Sequence, residues 1–168
     1  LGTQNTPSNQ VLISLALVLT FFVMGPTIQD INTQVIQPLN RNELTVDQAL
    51  DRTSAPLKVF MLKQTRKKDL ALFLRLSKTP PPQTKADVPL TALVPAFMIS
   101  ELKTAFEIGF MIFLPFLVVD MVVASILLSM GMMMLPPVVI SLPFKILLFV
   151  MVDGWFLIIG SLVRGYTG

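Results

Sequence analysis

Phe116 to Pro137 reads FLVVDMVVASILLSMGMMMLPP, and this stretch decides the fold. From Phe116 to Met134 the one charged residue is Asp120. A soluble helix keeps a polar face, whereas a helix apolar all round is buried in protein or lipid. The run then meets Gly131, three consecutive methionines and Pro136-Pro137. Three successive helical residues spread over about 200° and cannot share one face. Pro136 also disfavours helix at Leu135. Met132, Met133 and Met134 are therefore predicted to form an irregular loop between two apolar helices.

The residues on either side extend this pattern. Upstream, Leu90 to Leu114 is helical in pattern but carries Glu101, Lys103 and Glu107. Downstream, Pro143 suits the first turn of a last helix running to about Val163, with Arg164 at its interfacial end. Towards the start, Val11 to Met24 is apolar apart from Ser14 and Thr20, and Gly25-Pro26 ends it. Fourteen helical residues span about 21 Å, short of a hydrocarbon core of about 30 Å. Ile28 to Leu39 reads as a partly helical connector. Glu43 to Thr53 reads as an amphipathic helix capped by Thr45 or Asn42. Leu57–Gln64 and Lys67–Leu76 continue it, with interruptions at Pro56 and at Thr65-Arg66. Lys78 to Asp87 is a linker whose Pro80-Pro81-Pro82 favours polyproline II. Three regions result: an apolar helix and connector over 1–40, an amphipathic region with its linker over 41–87, and apolar helical hairpins over 88–168. Helices this short, proline-broken or charged persist at membrane depth when protein or a water-filled cavity surrounds them. The predicted fold is an all-α membrane protein of broken and kinked helices, arranged as helical hairpins and assembling with copies of itself or partners.

Composition agrees. The 168 residues are 53% hydrophobic and only 14% charged, against about 25% charged in soluble domains. Mean hydropathy is +0.71. Histidine and cysteine are absent, which removes thiol nucleophiles, disulfides, imidazole or thiolate metal sites and histidine acid–base chemistry. No cofactor is expected. The net charge of +3 comes with basic residues gathered between Lys63 and Lys85 and little aromatic interleaving, so nucleic acid is not an expected partner. That basic stretch reads either as a cytoplasmic loop by the positive-inside rule or as a solvated helix face. The polar start at Leu1, without methionine, leads us to expect that the natural chain extends further upstream.

The candidate functional residues are the loop and the charges. Methionine is unbranched, apolar and adaptable. A ring of such loops, one per subunit, would close a pore against ions and yield to a passing chain. The plainer reading is that Met132–Met134 are apolar filler. An ionisable residue at membrane depth is costly and suggests function. Lys103 and Glu107, four apart, can pair along one helix; Glu101 stands apart from that pair. Asp120 shares a helix face with Ala124 and Gly131, where small residues permit close approach. Lys145 and Asp153 lie about 80° apart around a helix and about 12 Å along it. They cannot pair with each other, so each needs a partner elsewhere, and contacts between subunits are expected. The plainer reading is that these charges hold an assembly together and carry no transport chemistry.

Three clusters in order, Ser100-Glu101-Leu102-Lys103-Thr104-Ala105-Phe106, Gly131 to Pro137, and Leu142-Pro143-Phe144-Lys145 followed by Val152-Asp153-Gly154-Trp155, resemble the FliP family of flagellar type III secretion proteins. Gln64-Thr65-Arg66 and Asp69-Leu70 resemble its middle region. The resemblance runs over essentially the whole chain. It implies a core subunit of the export gate that passes unfolded flagellar proteins across the bacterial inner membrane. It further implies a pentameric ring joined by FliQ-like and FliR-like subunits, next to FlhB-like and FlhA-like proteins, in the flagellar basal body and partly on the periplasmic side. By this resemblance Met132–Met134 seal the closed channel. The family's periplasmic placement of the middle region conflicts with the positive-inside reading of Lys63 to Lys85, and the resemblance is followed here. The rivals are a small-solute or ion transporter, suggested by broken helices and intramembrane charges, a membrane-embedded enzyme, and a passive scaffold. An enzyme would need a Ser–Lys or paired-carboxylate site, and no spacing supports one, so the chain is read as a non-enzyme.

Overall fold

A computed structural model describes Gly2 and residues 7–78 and 82–167. Every regular element among these is helical. In chain order they are α1 (Asn9–Val23), α2 (Gly25–Ile31), a π-helical turn (Asn32–Ile36), α3 (Gln37–Asn40), α4 (Val46–Gln64), α5 (Lys67–Leu76), α6 (Leu90–Ser129), α7 (Pro137–Met151) and α8 (Gly154–Thr167). Pro80 and Pro81 of the expected polyproline segment lie outside the described residues.

The prolines set fewer boundaries than expected. α4 continues through Pro56, so the predicted interruption there is wrong. α6 continues through Pro95 and Pro115 for 40 residues, about 60 Å of helix, where two segments were expected. An interior proline removes one backbone hydrogen bond at a cost of about 3 kcal/mol. The many bonded turns on either side absorb that cost, since each further helical residue adds a backbone bond once the helix is nucleated. The opposite error occurs near the end. Pro143 lies inside α7, and the expected single helix to Val163 is broken at Val152-Asp153. The break exists because Asp153 adopts φ +50°, a left-handed conformation that short polar residues tolerate better than most. α7 and α8 meet there at a bend of 61°.

The chain divides into two compact units, residues 20–105 and residues 1–19 with 106–168. In the first, α2 and the π turn pack on α4, burying Val35 and Ala49. Thr45 starts α4 with a capping box: its side chain accepts from the Gln48 N–H, and the Gln48 side chain accepts from the Thr45 N–H. Val88, Ala92, Leu93 and Ala96 are also buried, and the Phe60 and Phe97 rings lie 6.1 Å apart. In the second unit the buried apolar residues are Phe116, Leu127 and Phe149.

Much apolar surface is left open. Phe106, Met111 and Met121 on α6 are 73%, 72% and 63% exposed. Soluble monomers rarely show contiguous apolar surface of this extent. Among the described residues α6 is the one helix long and apolar enough to cross a membrane; α7 with α8, and α1 with the helical stretch after Met24, qualify as broken spans. The fold class read from sequence, an all-α membrane protein with broken helices, is the one observed.

Candidate functional site

The methionine loop is built by a helix terminus that the sequence specifies. Gly131 takes φ +72°. The Gly131 N–H donates to the Leu128 carbonyl at 3.1 Å, and the Met132 N–H donates to the Leu127 carbonyl at 2.9 Å. This pair of bonds is a Schellman motif, which satisfies the last carbonyls of α6 and turns the chain out of the helix. A glycine at the left-handed position costs nothing that a side chain would. Pro136 is extended at the start of α7 and Pro137 is its first residue, the position proline favours. Between these two stops the methionines project. Met132, Met133 and Met134 are 42%, 80% and 96% exposed.

Below the loop, α6 and α7 are joined by two rungs. Lys145 Nζ lies 2.6 Å from Asp120 Oδ2. The Ser141 hydroxyl donates to the other oxygen, Asp120 Oδ1, with the Val138 carbonyl 3.0 Å away as its alternative acceptor. Ser141 and Lys145 are essentially inaccessible. Four residues further from the loop on both helices, Phe116 meets Phe149 with ring centroids 6.4 Å apart. Asp120 is eleven residues before Gly131, about 16 Å along α6, and Lys145 is about 12 Å into α7. The ion pair therefore sits two to three turns below the loop and fixes the register of its two supporting helices. A carboxylate with an ammonium and a hydroxyl donor is compensated even out of water.

The second rung extends to the break. Phe149 packs edge-on to Trp155 at 5.5 Å. Gly154 is buried, and a Cβ there would fall 2.3 Å from the Phe149 ring. Glycine is needed at this corner because the aromatic ring occupies the side-chain space. Asp153 is exposed.

A separate cluster lies in the unit spanning 20–105. At the start of α5 the Arg66 N–H donates to Ser100 Oγ at 3.0 Å, and the Ser100 hydroxyl donates to Asp69 Oδ2 at 2.8 Å. The Arg66 guanidinium lies 2.9 Å from the same carboxylate oxygen. The Ser100 hydroxyl holds Asp69 below the ordinary carboxylate range, partial burial opposes this, and the Arg66 charge adds to the lowering. Ser100 thus caps a helix it does not belong to.

Of the residues singled out from sequence, Asp120 and Lys145 come together, so the partner that Lys145 requires is in its own chain. Met132–Met134 form the predicted loop. Asp153 sits in the α7–α8 turn. Glu101 is half-buried on α6, and Lys103 and Glu107 are exposed on it. Ser141, Ser100, Arg66 and Asp69 were not assigned roles. The available signal for Asp69 was an acid in a first helical turn, where the helix dipole favours it.

The family model described as "FliP family" matches residues 1–162. The chain is 61% identical to flagellar biosynthetic protein FliP of Bacillus subtilis (strain 168) over 99% of its length and 75% of that protein's. It is 57% identical to flagellar biosynthetic protein FliP of Caulobacter vibrioides, covering 99% of this chain and 62% of that one. For flagellar biosynthetic protein FliP of Aquifex aeolicus the identity is 53%, with 99% and 70% covered. The chain thus spans 62 to 75% of the length of these relatives.

Proposed function

Because this chain belongs to the FliP family, we propose that it is a pore-forming core subunit of the flagellar type III export gate, passing unfolded flagellar proteins across the bacterial inner membrane. Five copies form a ring with FliQ-like and FliR-like subunits, beside FlhB-like and FlhA-like proteins. The observation that carries this reading is the methionine loop. Three flexible apolar side chains are presented, the last 96% exposed, on a hairpin whose two legs are pinned by a buried ion pair.

The mechanism is gating without catalysis. An apolar constriction expels water and so blocks ions. Methionine side chains have three rotatable bonds and repack at little cost, so an inserting chain displaces them and they reclose behind it. The legs stay fixed because separating Asp120 from Lys145 would strand charge at apolar depth. Glu101, Lys103, Glu107 and Asp153 contribute to contacts between subunits.

The test is native mass spectrometry of the detergent-extracted particle, made from the full chain co-expressed with the neighbouring export genes. A particle with several copies of this chain and smaller membrane partners supports the proposal. A stable monomer or simple dimer, indifferent to partners, overturns it and favours a self-contained solute or ion transporter.

A further inference from the structure

The exposed face of α4 changes sign along its length. Its first turns present Asp47 and Asp51 to solvent, together with Val46 and Leu50, which are 66% and 67% exposed. Its second half, with residues of the following linker, walls an open groove of about 640 Å³. Val59, itself 69% exposed, and Leu62 supply its apolar lining, and Lys58, Lys63 and Lys85 stand around it. The wall is built: Lys58 Nζ donates to the Ala86 carbonyl at 3.0 Å. The acid at this end, Asp87, is already bonded by the N–H and hydroxyl of Thr84 at 2.9 and 2.7 Å. Three lysines line the groove; Lys58 is held by the Ala86 carbonyl and its charge acts on Asp87, and Lys63 and Lys85 supply the remaining positive charge. At the other end Arg52 projects about 100° round the helix from Asp51, leaving the Asp47–Asp51 row acidic.

We propose that the acidic, apolar start of α4 in one copy of this chain seats in the lysine-rimmed groove of a neighbouring copy. The fit is one of charge: Asp47 and Asp51, about 40° apart round the helix, form one acidic row, and Lys58 and Lys63, about 140° apart, stand on either side of Val59 and Leu62. Leu50 then covers the apolar lining made by Val59 and Leu62. Each copy offers one patch and uses the other, so the contact is head to tail and repeats from copy to copy, as a ring requires. It rests on the export-gate reading only in requiring more than one copy per particle.

The chain has no cysteine, which makes disulfide trapping clean. The full chain carrying Leu50→Cys and Val59→Cys is oxidised in the co-expressed, membrane-embedded particle. Those positions in one chain are about 13 Å apart along the helix, beyond the reach of a disulfide, so a bond between the two introduced cysteines joins two copies, and bands at multiples of this chain's mass distinguish it from a bond to another protein. The expected result is a ladder of bands at successive multiples of the chain mass. Asp47→Lys with Asp51→Lys should cut the cross-linked fraction by about tenfold or more, as like charges then meet across the contact. Adding Lys58→Glu with Lys63→Glu should restore it. No bond, bands that stop at the dimer, or a yield equal to that of Leu76→Cys, exposed on α5, would overturn the contact. If native mass spectrometry still shows a multi-copy particle, the gate reading survives that loss; if it does not, both fall.

Discussion

Removing one partner of the Asp120–Lys145 pair should damage the hairpin more than removing both. Lys145 is 1% exposed and its ammonium lies 2.6 Å from the carboxylate. Lys145→Met leaves Asp120 charged at apolar depth without its ammonium partner, the Ser141 hydroxyl still donating to it. Asp120→Leu strands the ammonium instead. Breaking a buried pair from one side costs about 3–5 kcal/mol. The double variant Asp120→Leu, Lys145→Met replaces both charges with apolar groups of similar bulk, a change that is often close to neutral. Ser141 is not orphaned by it, because its hydroxyl can turn to the Val138 carbonyl 3.0 Å away. The double variant should therefore lie within about 1 kcal/mol of wild type, giving a coupling energy of at least about 5 kcal/mol. The assay is reversible unfolding of the purified particle in mixed micelles by added SDS, followed by circular dichroism, for all four proteins. Single variants that each lose less than about 1 kcal/mol, as surface changes do, would refute the reasoning. So would a double variant that loses the sum of the singles.

Two further outcomes follow from the geometry. Asp69 is held below its ordinary value of 3.8 by the Ser100 hydroxyl and then by Arg66, against partial burial. A carboxylate lowered on folding contributes stability above its unfolded pKa and loses it as pH falls through the folded one. The stability difference between wild type and Asp69→Asn should thus be flat from neutral pH to about 5 and shrink below 3.8; a difference that grows on acidification would contradict the assigned cause. Gly154→Ala should destabilise by about 1–3 kcal/mol, since its Cβ must push the Phe149 ring from 2.3 Å. Thermal unfolding monitored at the sole tryptophan, Trp155, would read both the loss and the changed ring contact.

Local chemistry was legible and pairing was not. α5 was read correctly at Lys67–Leu76 because a polar junction and a proline-rich linker bound it on either side. The loop at Met132–Met134 was legible because Gly131 and Pro136-Pro137 act within a few residues of it. Pro56 and Pro115 misled because a proline's local penalty says nothing of the helix on either side. The α7–α8 break carried a signal that went unused: Asp153-Gly154 is a dipeptide of turns, masked by its apolar surroundings. Asp120 and Lys145 are 25 residues apart in different helices. Spacing constrains pairs within one helix, so their meeting depends on a hairpin register that only the fold supplies. Ser100 capping α5 from α6 was hidden for the same reason.

The measurement closest to the central claim is ion conductance of the assembled gate in planar bilayers, comparing wild type with Met132→Ala, Met133→Ala, Met134→Ala combined. Alanine keeps the loop apolar but removes the bulk that closes the pore, and the methionines lie outside the buried cluster that holds the hairpin. The account predicts a particle of unchanged subunit composition that leaks ions where wild type is silent. Unchanged, silent conductance in correctly assembled particles would contradict it and reduce the three methionines to apolar packing.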